Sequence, residues 1–222
     1  MTSILCIIPA RKGSGEVKNK NWKKINGKHL IEYTFDVVKK SKTIKKTIVS
    51  TNDPLIIKLC KKHNIDYVKR PSLISGPKSK TLDAVKHVFT QINYKPEYVV
   101  ILQPTSPLRK ANHVDKAVKK IISNKKADSL VSCVKISHNF CPQSLMTLKK
   151  NGFLKFRNRL IRRQEIKKIY FARNGAAIYI TKYPLIKKTI LGKSLIPFEM
   201  NYSESLDINS LEDFELAKKL LK

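Results

Sequence analysis

The sequence predicts an α/β fold with a mostly parallel central sheet flanked by helices. Over residues 1–135, short apolar runs alternate regularly with longer amphipathic stretches. The run 98–102 is continuously apolar, as in a strand that helices cover on both faces. Between Val114 and Ile122 apolar residues recur with a helical period, and lysines occupy the opposite face. Strands and helices that alternate at these lengths are typical of parallel sheets.

The individual elements follow from local patterns. Strands are predicted at 4–8, 47–50, 65–68, 98–102, 129–134 and 176–180. Helices are predicted at 29–38, from Pro54, at 80–91, at 114–122 and from about 211. Asp53 before Pro54 is a typical N-cap followed by a first-turn proline. Ser210 with Asp213 resembles a capping box that starts the last helix.

Residues 138–172 interrupt this alternation. The segment is strongly basic, contains a single acid and has weak periodicity. Asn151-Gly152 within it is a hairpin turn signal. We therefore expect one domain over residues 1–222, with an excursion from the main sheet at about 138–172.

Length and composition exclude several classes of protein. The chain has 222 residues, 41% of them apolar, so a sizeable core is expected rather than disorder. No apolar run approaches the roughly 20 residues of a membrane-spanning helix. The run 4–8 is short, lacks a basic leader and stops at Pro9, so we expect a cytoplasmic protein without a secretory signal. The four cysteines form no C-x-x-C pair and are expected to be reduced residues in or near the core.

The charge is strongly positive. Lys and Arg number 46 against 16 acids, a formal net charge of +30, which suits a nucleic-acid partner. Lysine is nevertheless spread over every segment and few of the basic residues are arginine, which is typical of a compositional bias. Nucleic acid is therefore not the favoured partner. A positive field would still steer polyanionic small molecules into a cleft.

The loop after the first strand shows the strongest sign of chemistry, because ligands of parallel sheets bind beyond the carboxyl ends of strands. Residues 11–15 place two glycines and a hydroxyl there, and several lysines follow. Backbone amides and cationic side chains in such a loop can bind phosphate oxygens. Standard nucleotide motifs do not match: Lys18 replaces the third glycine of G-x-G-x-x-G, and Lys187 replaces the first glycine of a P-loop ending at 192–194. A phosphate loop and a mobile basic loop both remain open on this pattern.

Several stretches, taken in order, resemble the CMP-sialic acid synthetase (acylneuraminate cytidylyltransferase) family. They are Ile7-Ile8-Pro9-Ala10-Arg11 with Lys20-Asn21, Ile48-Val49-Ser50-Thr51, Arg70-Pro71, Leu102-Gln103-Pro104-Thr105-Ser106-Pro107-Leu108-Arg109, Asn174-Gly175-Ala176 before Ile178-Tyr179-Ile180, and Leu206-Asp207-Ile208. The eight-residue run at 102–109 is the most specific of these. The resemblance spans essentially the whole chain.

The resemblance implies a nucleotidyltransferase type of fold and a cytidylyl transfer. CTP and a nonulosonic (sialic-type) acid would give the CMP-sugar and pyrophosphate, with Mg²⁺ as the cofactor. The anomeric hydroxyl of the sugar would attack the α-phosphorus, a transfer that depends on positioning and on neutralising phosphate charge. It also implies a homodimer, formed through the basic excursion.

The resemblance assigns roles to single residues. The nucleotide would be bound by Ala10, Arg11, Ser14, Lys20, Asn21, Arg70 and Thr81. The sugar would be bound by Gln103, Arg163 and Tyr179, and the metal by Asp207 and Asn209. Catalysis would depend on Arg11, Lys20, Gln103 and Asp207. Simpler alternatives exist: Arg11 as a surface charge, Asp207 as a turn acid, and Tyr179 as a core residue.

Three positions depart from the family pattern. Gly15-Glu16 stands where relatives have Lys-Gly, so Lys12 or Lys18 is hypothesised to replace the missing phosphate-binding lysine. The segment 77–81 keeps only the last hydroxyl, that of Thr81, from the family's Asp-Thr-Ala-Ser-Ser stretch. Asn209 replaces the second acid of the usual Asp-x-Asp, so weaker magnesium binding is expected.

Two other classes of function remain open. One is a different sugar-nucleotide enzyme on a similar sheet, either a cytidylyltransferase for an eight-carbon acid or a glycosyltransferase, which would release no pyrophosphate. The other is a basic nucleic-acid-binding protein, which would show a steep salt dependence and no CTP turnover. The residues around Gln103 and Tyr179 do not distinguish neuraminic, legionaminic and pseudaminic acids.

Overall fold

A computed structural model describes residues 2–13, 17–158, 162, 164 and 168–221. The strands of the described part are β1 (Ile4–Pro9), β2 (Lys24–Ile25), β3 (Lys28–His29), β4 (Lys46–Thr51), β5 (Asp66–Lys69), β6 (Tyr98–Ile101), β7 (Ser129–Lys135), β8 (Met146–Leu148), β9 (Leu154–Phe156), β10 (Phe171–Arg173), β11 (Tyr179–Lys182) and β12 (Leu195–Glu199). The helices are α1 (Leu30–Lys40), α2 (Pro54–Lys62), α3 (Thr81–Gln91), α4 (Ala111–Ser123), α5 (Tyr183–Ile186) and α6 (Leu211–Leu220).

The main sheet has the order β5-β4-β1-β6-β11-β7, with β10 and β12 also paired to β7. Strand β1 is parallel to β4 and β6, β4 is parallel to β5, and β12 is parallel to β7. Strands β10 and β11 are antiparallel to their neighbours. The predicted α/β class with a mostly parallel central sheet is thus confirmed. The carboxyl ends of β1, β4, β5 and β6 meet at one edge, which places the loops that follow them side by side.

Side-chain alternation along β1 explains how helices cover both faces of the sheet. Ile4, Cys6 and Ile8 pack in one core cluster with residues of α1, α2 and α4. Leu5 and Ile7 pack in the other cluster, with residues of α3 and α5. Successive strand residues point to opposite faces, so a strand between two helical layers is apolar throughout.

Most local signals in the sequence are confirmed. The Asp53 side chain accepts a hydrogen bond from the Leu55 amide at 3.0 Å and caps α2, and Ser210 and Asp213 form the capping box of α6. All four cysteines are buried with free thiols. On α4 the predicted apolar stripe is buried except for Ile122, which is 36% exposed at the edge of the helix.

The chain after residue 135 departs from the prediction in several places, among them the short helix α5, which the sequence pattern does not predict. The predicted strand 176–180 begins only at Tyr179, since Gly175 adopts φ +68° and the chain bulges. Arg173 pairs with Cys133 of β7, and Tyr179 pairs with Val131. The chain therefore uses six residue steps where β7 uses two, and the four extra residues form a bulge at the carboxyl edge of the sheet. Strand β12 was not predicted.

The excursion contains the predicted hairpin. Strands β8 and β9 pair antiparallel around Asn151-Gly152, with Gly152 at φ +83°. Every residue of both strands is exposed, and β10 then returns the chain to the main sheet. None of the helices within the described residues is long and apolar enough to cross a membrane.

Candidate active site at the carboxyl edge of the sheet

A cavity of about 310 Å³ lies beyond the carboxyl ends of β1, β4, β5 and β6. It is lined by Pro9, Arg11, Lys20, Asn21, Arg70, Ser79, Lys80, Thr81, Gln103, Pro104, Thr105 and Asn209. We call it the cationic cavity, since its charged lining residues are two arginines and two lysines. Six sequence-predicted residues for nucleotide or sugar binding, Arg11, Lys20, Asn21, Arg70, Thr81 and Gln103, are brought together in it.

Arg70 is, with Lys20, one of the two buried cations of this cavity, and it is 5% exposed. Its guanidinium donates to the Ser50 carbonyl at 2.7 Å and to the Ser50 hydroxyl at 3.1 Å. Burial, and then the nearby charge of Arg11, lower the pKa of Arg70 to about 10, so it remains protonated at neutral pH. No carboxylate of the described chain forms an ion pair with it. Its charge is therefore available to an anionic ligand.

Lys20 and Asn21 connect the loop after β1 to the segment before α6. The Lys20 ammonium is buried and donates to the Ile208 carbonyl. The Asn21 amide lies 3.5 Å from the Arg11 carbonyl, so it fixes the loop that carries Arg11. The Ile208 amide in turn donates to the Thr105 carbonyl at 2.8 Å. Residues from three distant parts of the sequence thus form one wall.

Some sequence-predicted residues lie elsewhere. Ala10 is fully buried behind the cavity, and its amide donates to the Ser50 carbonyl at 2.9 Å, so that N–H is not available to a phosphate. Lys12 and Lys18 are exposed and do not line the cavity. Ser14 and Arg163 lie outside the described residues.

Asp207 packs against Gly175 beside the cavity. A Cβ added at Gly175 would lie 2.6–2.7 Å from both Asp207 carboxylate oxygens, so this contact requires glycine. Asn209 donates to Oδ2 of Asp207 at 3.0 Å. Oδ1 is buried, and no donor among the described residues reaches it. A buried carboxylate oxygen without a donor fits a cation, and Mg²⁺ is commonly held by one or two carboxylates together with substrate phosphates and waters.

A second cavity of about 430 Å³ adjoins the first at Gln103 and is lined by Gln103, Arg173, Gly175, Ala176 and Tyr179. Tyr179, predicted as a sugar-binding residue, therefore faces this second cavity. Its hydroxyl donates to the Gly175 carbonyl at 2.7 Å. The backbone N–H of Gln103 donates to the Ala176 carbonyl at 3.0 Å. This bond joins the loop after β6 to the bulge before β11.

Arg109, the last residue of the motif at 102–109, connects several segments at this edge of the sheet. Its guanidinium is 2% exposed and donates to the carbonyls of Gln103 and Ala177 at 3.0 and 2.8 Å and to the Thr34 hydroxyl at 2.7 Å. Burial lowers the pKa of Arg109 to about 10 and raises that of the neighbouring Cys6 thiol to about 12. The charge is thus solvated by carbonyl dipoles. No local pattern in the sequence indicates this role.

These features define an α/β protein with a nucleotide-type anion site beside a second ligand cavity. The family model described as "Cytidylyltransferase" matches residues 5–222, and the chain belongs to this family.

Sequence relatives agree with the family. The chain is 30% identical over 218 residues to N-acylneuraminate cytidylyltransferase of Escherichia coli O18:K1:H7, which covers 97% of this chain and 51% of that protein. It is 29% identical over 230 residues to CMP-N,N'-diacetyllegionaminic acid synthase of Campylobacter jejuni subsp. jejuni serotype O:2, covering 100% of this chain and 96% of that protein. The chain spans about half the length of the Escherichia coli relative and of a similar protein of Streptococcus agalactiae.

Solved structures share the fold. A structure of CMP:2-keto-3-deoxy-manno-octonic acid synthetase complexed with CTP superposes with a TM-score of 0.75 at 15% identity, covering 99% of this chain and 98% of that one.

Proposed function

We propose that this chain is a cytoplasmic cytidylyltransferase that joins CTP and a nonulosonic acid. The anomeric oxygen of the sugar forms a bond to the α-phosphorus of CTP. The bond from that phosphorus to the bridging oxygen of the β-phosphate breaks, pyrophosphate leaves, and the hydroxyl proton passes to solvent. The names of the sequence relatives support both substrates.

The observation that carries the proposal is the contact of two unlike cavities at Gln103. One is bounded by the cations Arg11, Lys20 and Arg70, which suit a triphosphate. The other has a single charged lining residue, Arg173, and is bounded by Tyr179 and the backbone bulge. Such a lining suits a sugar. A ligand in each would meet at the shared residue. Such an arrangement gains rate by holding two reactants in line.

In this proposal, each lining residue has a role that follows from its position. Arg11, Lys20 and Arg70 neutralise the phosphates, and the charge they supply is worth most as the leaving group gains negative charge. Gln103 lies between the two ligands, with its backbone fixed at both the amide and the carbonyl. Thr81 begins α3 at the wall of the cationic cavity, where its hydroxyl would face the nucleoside.

Magnesium fits the Asp207 carboxylate described above, with Asn209 beside it. When bound, Mg²⁺ would supply charge neutralisation at the departing pyrophosphate. The described residues contain no group of three acidic, histidine or cysteine ligands, so most of the coordination would come from phosphates and water. Asn209 contributes a neutral oxygen where an acid would contribute charge.

The test is pyrophosphate release from CTP with a panel of N-acetylneuraminic, N,N'-diacetyllegionaminic and pseudaminic acids, titrated with magnesium. We expect release with at least one acid, and half-saturation by magnesium well above micromolar. Reactions without acid and with 2-keto-3-deoxy-manno-octonic acid are the controls. Release with the eight-carbon acid alone would identify the alternative enzyme. No release with any acid would reject the proposal.

We further propose that the chain forms a homodimer through its excursion. Large apolar side chains are exposed there, including Leu148 at 72%, Phe153 at 69% and Leu154 at 60%. Burying such a patch is favourable, and exposed apolar patches mark association surfaces. In sedimentation velocity we expect a dimer for the unmodified chain and for Leu55→Ser, an exposed apolar site on α2. Phe153→Ser should shift it toward monomer, and a monomeric unmodified chain would contradict the proposal.

A further inference from the structure

Lys80 is a charged residue of the cationic cavity to which the sequence assigned no role. It lies directly before Thr81, the first residue of α3, and both residues line the cavity. Lys12 and Lys18, the residues hypothesised to replace a missing phosphate-binding lysine, are exposed and lie outside this lining. Among the described residues, the lysines that do line the cavity are Lys20 and Lys80.

Two other cations of the cavity are partly engaged by the protein itself. The Lys20 ammonium donates to the Ile208 carbonyl, and the Arg70 guanidinium donates twice to Ser50. Lys80 differs from them, because no acid of the described chain forms an ion pair with its ammonium. The three N–H donors of this exposed ammonium are therefore open to an anionic ligand.

Lys80 is anchored through its backbone rather than its side chain. Its backbone N–H donates to Oδ2 of Asp83 at 3.1 Å, and the Asp83 N–H donates to its carbonyl at 3.1 Å. The carboxylate nearest in sequence is thus engaged at the start of the helix instead of with the ammonium. The cavity has a volume of about 310 Å³, so the flexible four-carbon side chain of a lining lysine can span much of it.

The place of Lys80 in the helix also favours an anion nearby. Lys80 is the N-cap of α3, an 11-residue helix, and the N-terminal end of a helix carries partial positive charge. A lysine at this end is unfavourable by itself, because like charges repel. An anion in the cavity would be attracted both by the ammonium and by the helix end.

We propose that Lys80 binds the triphosphate of CTP, in place of the lysine that the loop after β1 lacks. This inference deepens the proposed cytidylyl transfer and rests on it. The family that this chain resembles has Lys-Gly where this chain has Gly15-Glu16, so one cation is missing and one acid is added. A lysine is a compact charge on a flexible stem, so a different element of the cavity wall can supply the same charge.

The first test compares Lys80→Gln with Lys78→Gln, which removes the same charge from an exposed residue outside the cavity lining. With saturating sugar acid, Lys80→Gln should raise the KM for CTP about tenfold, the effect of losing one hydrogen bond to a charged group. Lys78→Gln should change that KM by less than about twofold, because solvent screens its charge. Lys80→Arg should stay close to the unmodified enzyme, since it keeps the charge. The KM for the acid should stay the same in all three variants, because Lys80 does not line the second cavity.

Lys12→Gln and Lys18→Gln extend this comparison to the two residues named by the sequence hypothesis. Both should behave like Lys78→Gln. A raised KM for CTP in either of them, together with an unchanged KM in Lys80→Gln, would support the sequence hypothesis and overturn the role of Lys80.

The second test distinguishes a phosphate contact from a contact to the nucleoside. Titration calorimetry measures CTP binding without acid, at fixed magnesium and several concentrations of KCl. Salt screens charge pairs, so the affinity of the unmodified enzyme should fall as KCl rises, and that of Lys80→Gln should fall less steeply. Equal salt dependences would overturn the role of Lys80 while leaving the proposed function intact. Absence of pyrophosphate release by the unmodified enzyme with every acid would overturn the proposed function, whereas calorimetry would still measure the role of Lys80 in CTP binding.

Discussion

Gly175→Ala is expected to lower kcat for CMP-sugar formation by about 100-fold or more, because displacing a catalytic group by about 1 Å has an effect of that order. The new Cβ would lie 2.6–2.7 Å from the carboxylate oxygens of Asp207, so that carboxylate must move. The position also has φ +68°, which costs a non-glycine residue about 1–2 kcal/mol. Steady-state assays of pyrophosphate release measure the first effect, and urea unfolding measures the second.

Gly27→Ala is the matched control. Gly27 has φ +80° in the turn between β2 and β3, and a Cβ there would contact nothing within 4 Å. It should therefore show the backbone cost alone and keep nearly full activity. In Asp207→Ala the clashing atoms are gone, so adding Gly175→Ala should destabilise that variant no more than Gly27→Ala destabilises the unmodified chain. A fully active Gly175→Ala enzyme would show that the position of Asp207 does not matter.

Arg109→Met is expected to lower the free energy of unfolding by about 3 kcal/mol. It leaves the buried Ala177 carbonyl and Thr34 hydroxyl without their donor, at about 1–3 kcal/mol each, and also the part-buried Gln103 carbonyl. Relief from burying the charge offsets part of that cost. Because the lost bonds join α1, the loop after β6 and the bulge before β11, kcat should fall as Gln103 loses its fixed carbonyl. Urea unfolding and steady-state kinetics at several CTP concentrations measure the two effects.

Arg70→Met distinguishes the structural role of Arg109, which links α1, the loop after β6 and the bulge, from a role in ligand binding. Both side-chain hydrogen bonds of Arg70 go to the single residue Ser50, so loss of its guanidinium should destabilise the fold less than loss of the Arg109 guanidinium. Its main effect should be a higher KM for CTP, since its charge faces the cationic cavity. Arg109→Lys should recover part of the stability, because its single ammonium nitrogen restores the charge but cannot take the positions of both Nη1 and Nη2. Equal stability of Arg109→Met and the unmodified chain would contradict the structural role of Arg109.

Local sequence signals predicted much of the fold because they depend on near neighbours. The stripe on α4 and the Asp53 cap involve residues within about two turns of each other, and Asn151-Gly152 needs only its own backbone geometry. Strand β12 escaped prediction because Pro197 lies inside it and argues against a strand interior. It is tolerated because β12 is an edge strand with β7 as its neighbour.

The residues of the cationic cavity were predicted in part because they belong to short motifs at the ends of strands. The motif at 102–109 and the loop before Lys20 identified the cationic cavity, because residues that end parallel strands converge at one edge whatever their distance in sequence. The packing of Asp207 on Gly175 joins positions 32 residues apart through a φ of +68° and an absent Cβ. No local pattern encodes that contact.

The sequence by itself determined the class of fold, the family resemblance and most of the residues that line the cationic cavity, since these follow from periodicity and short motifs. Only the tertiary structure decided that Arg109 is buried among carbonyls, that Arg173 faces a second cavity and that one oxygen of Asp207 has no donor in the described chain. The physical reason is that the environment of a charged side chain is set by elements far away in the sequence, which come together only when the sheet forms.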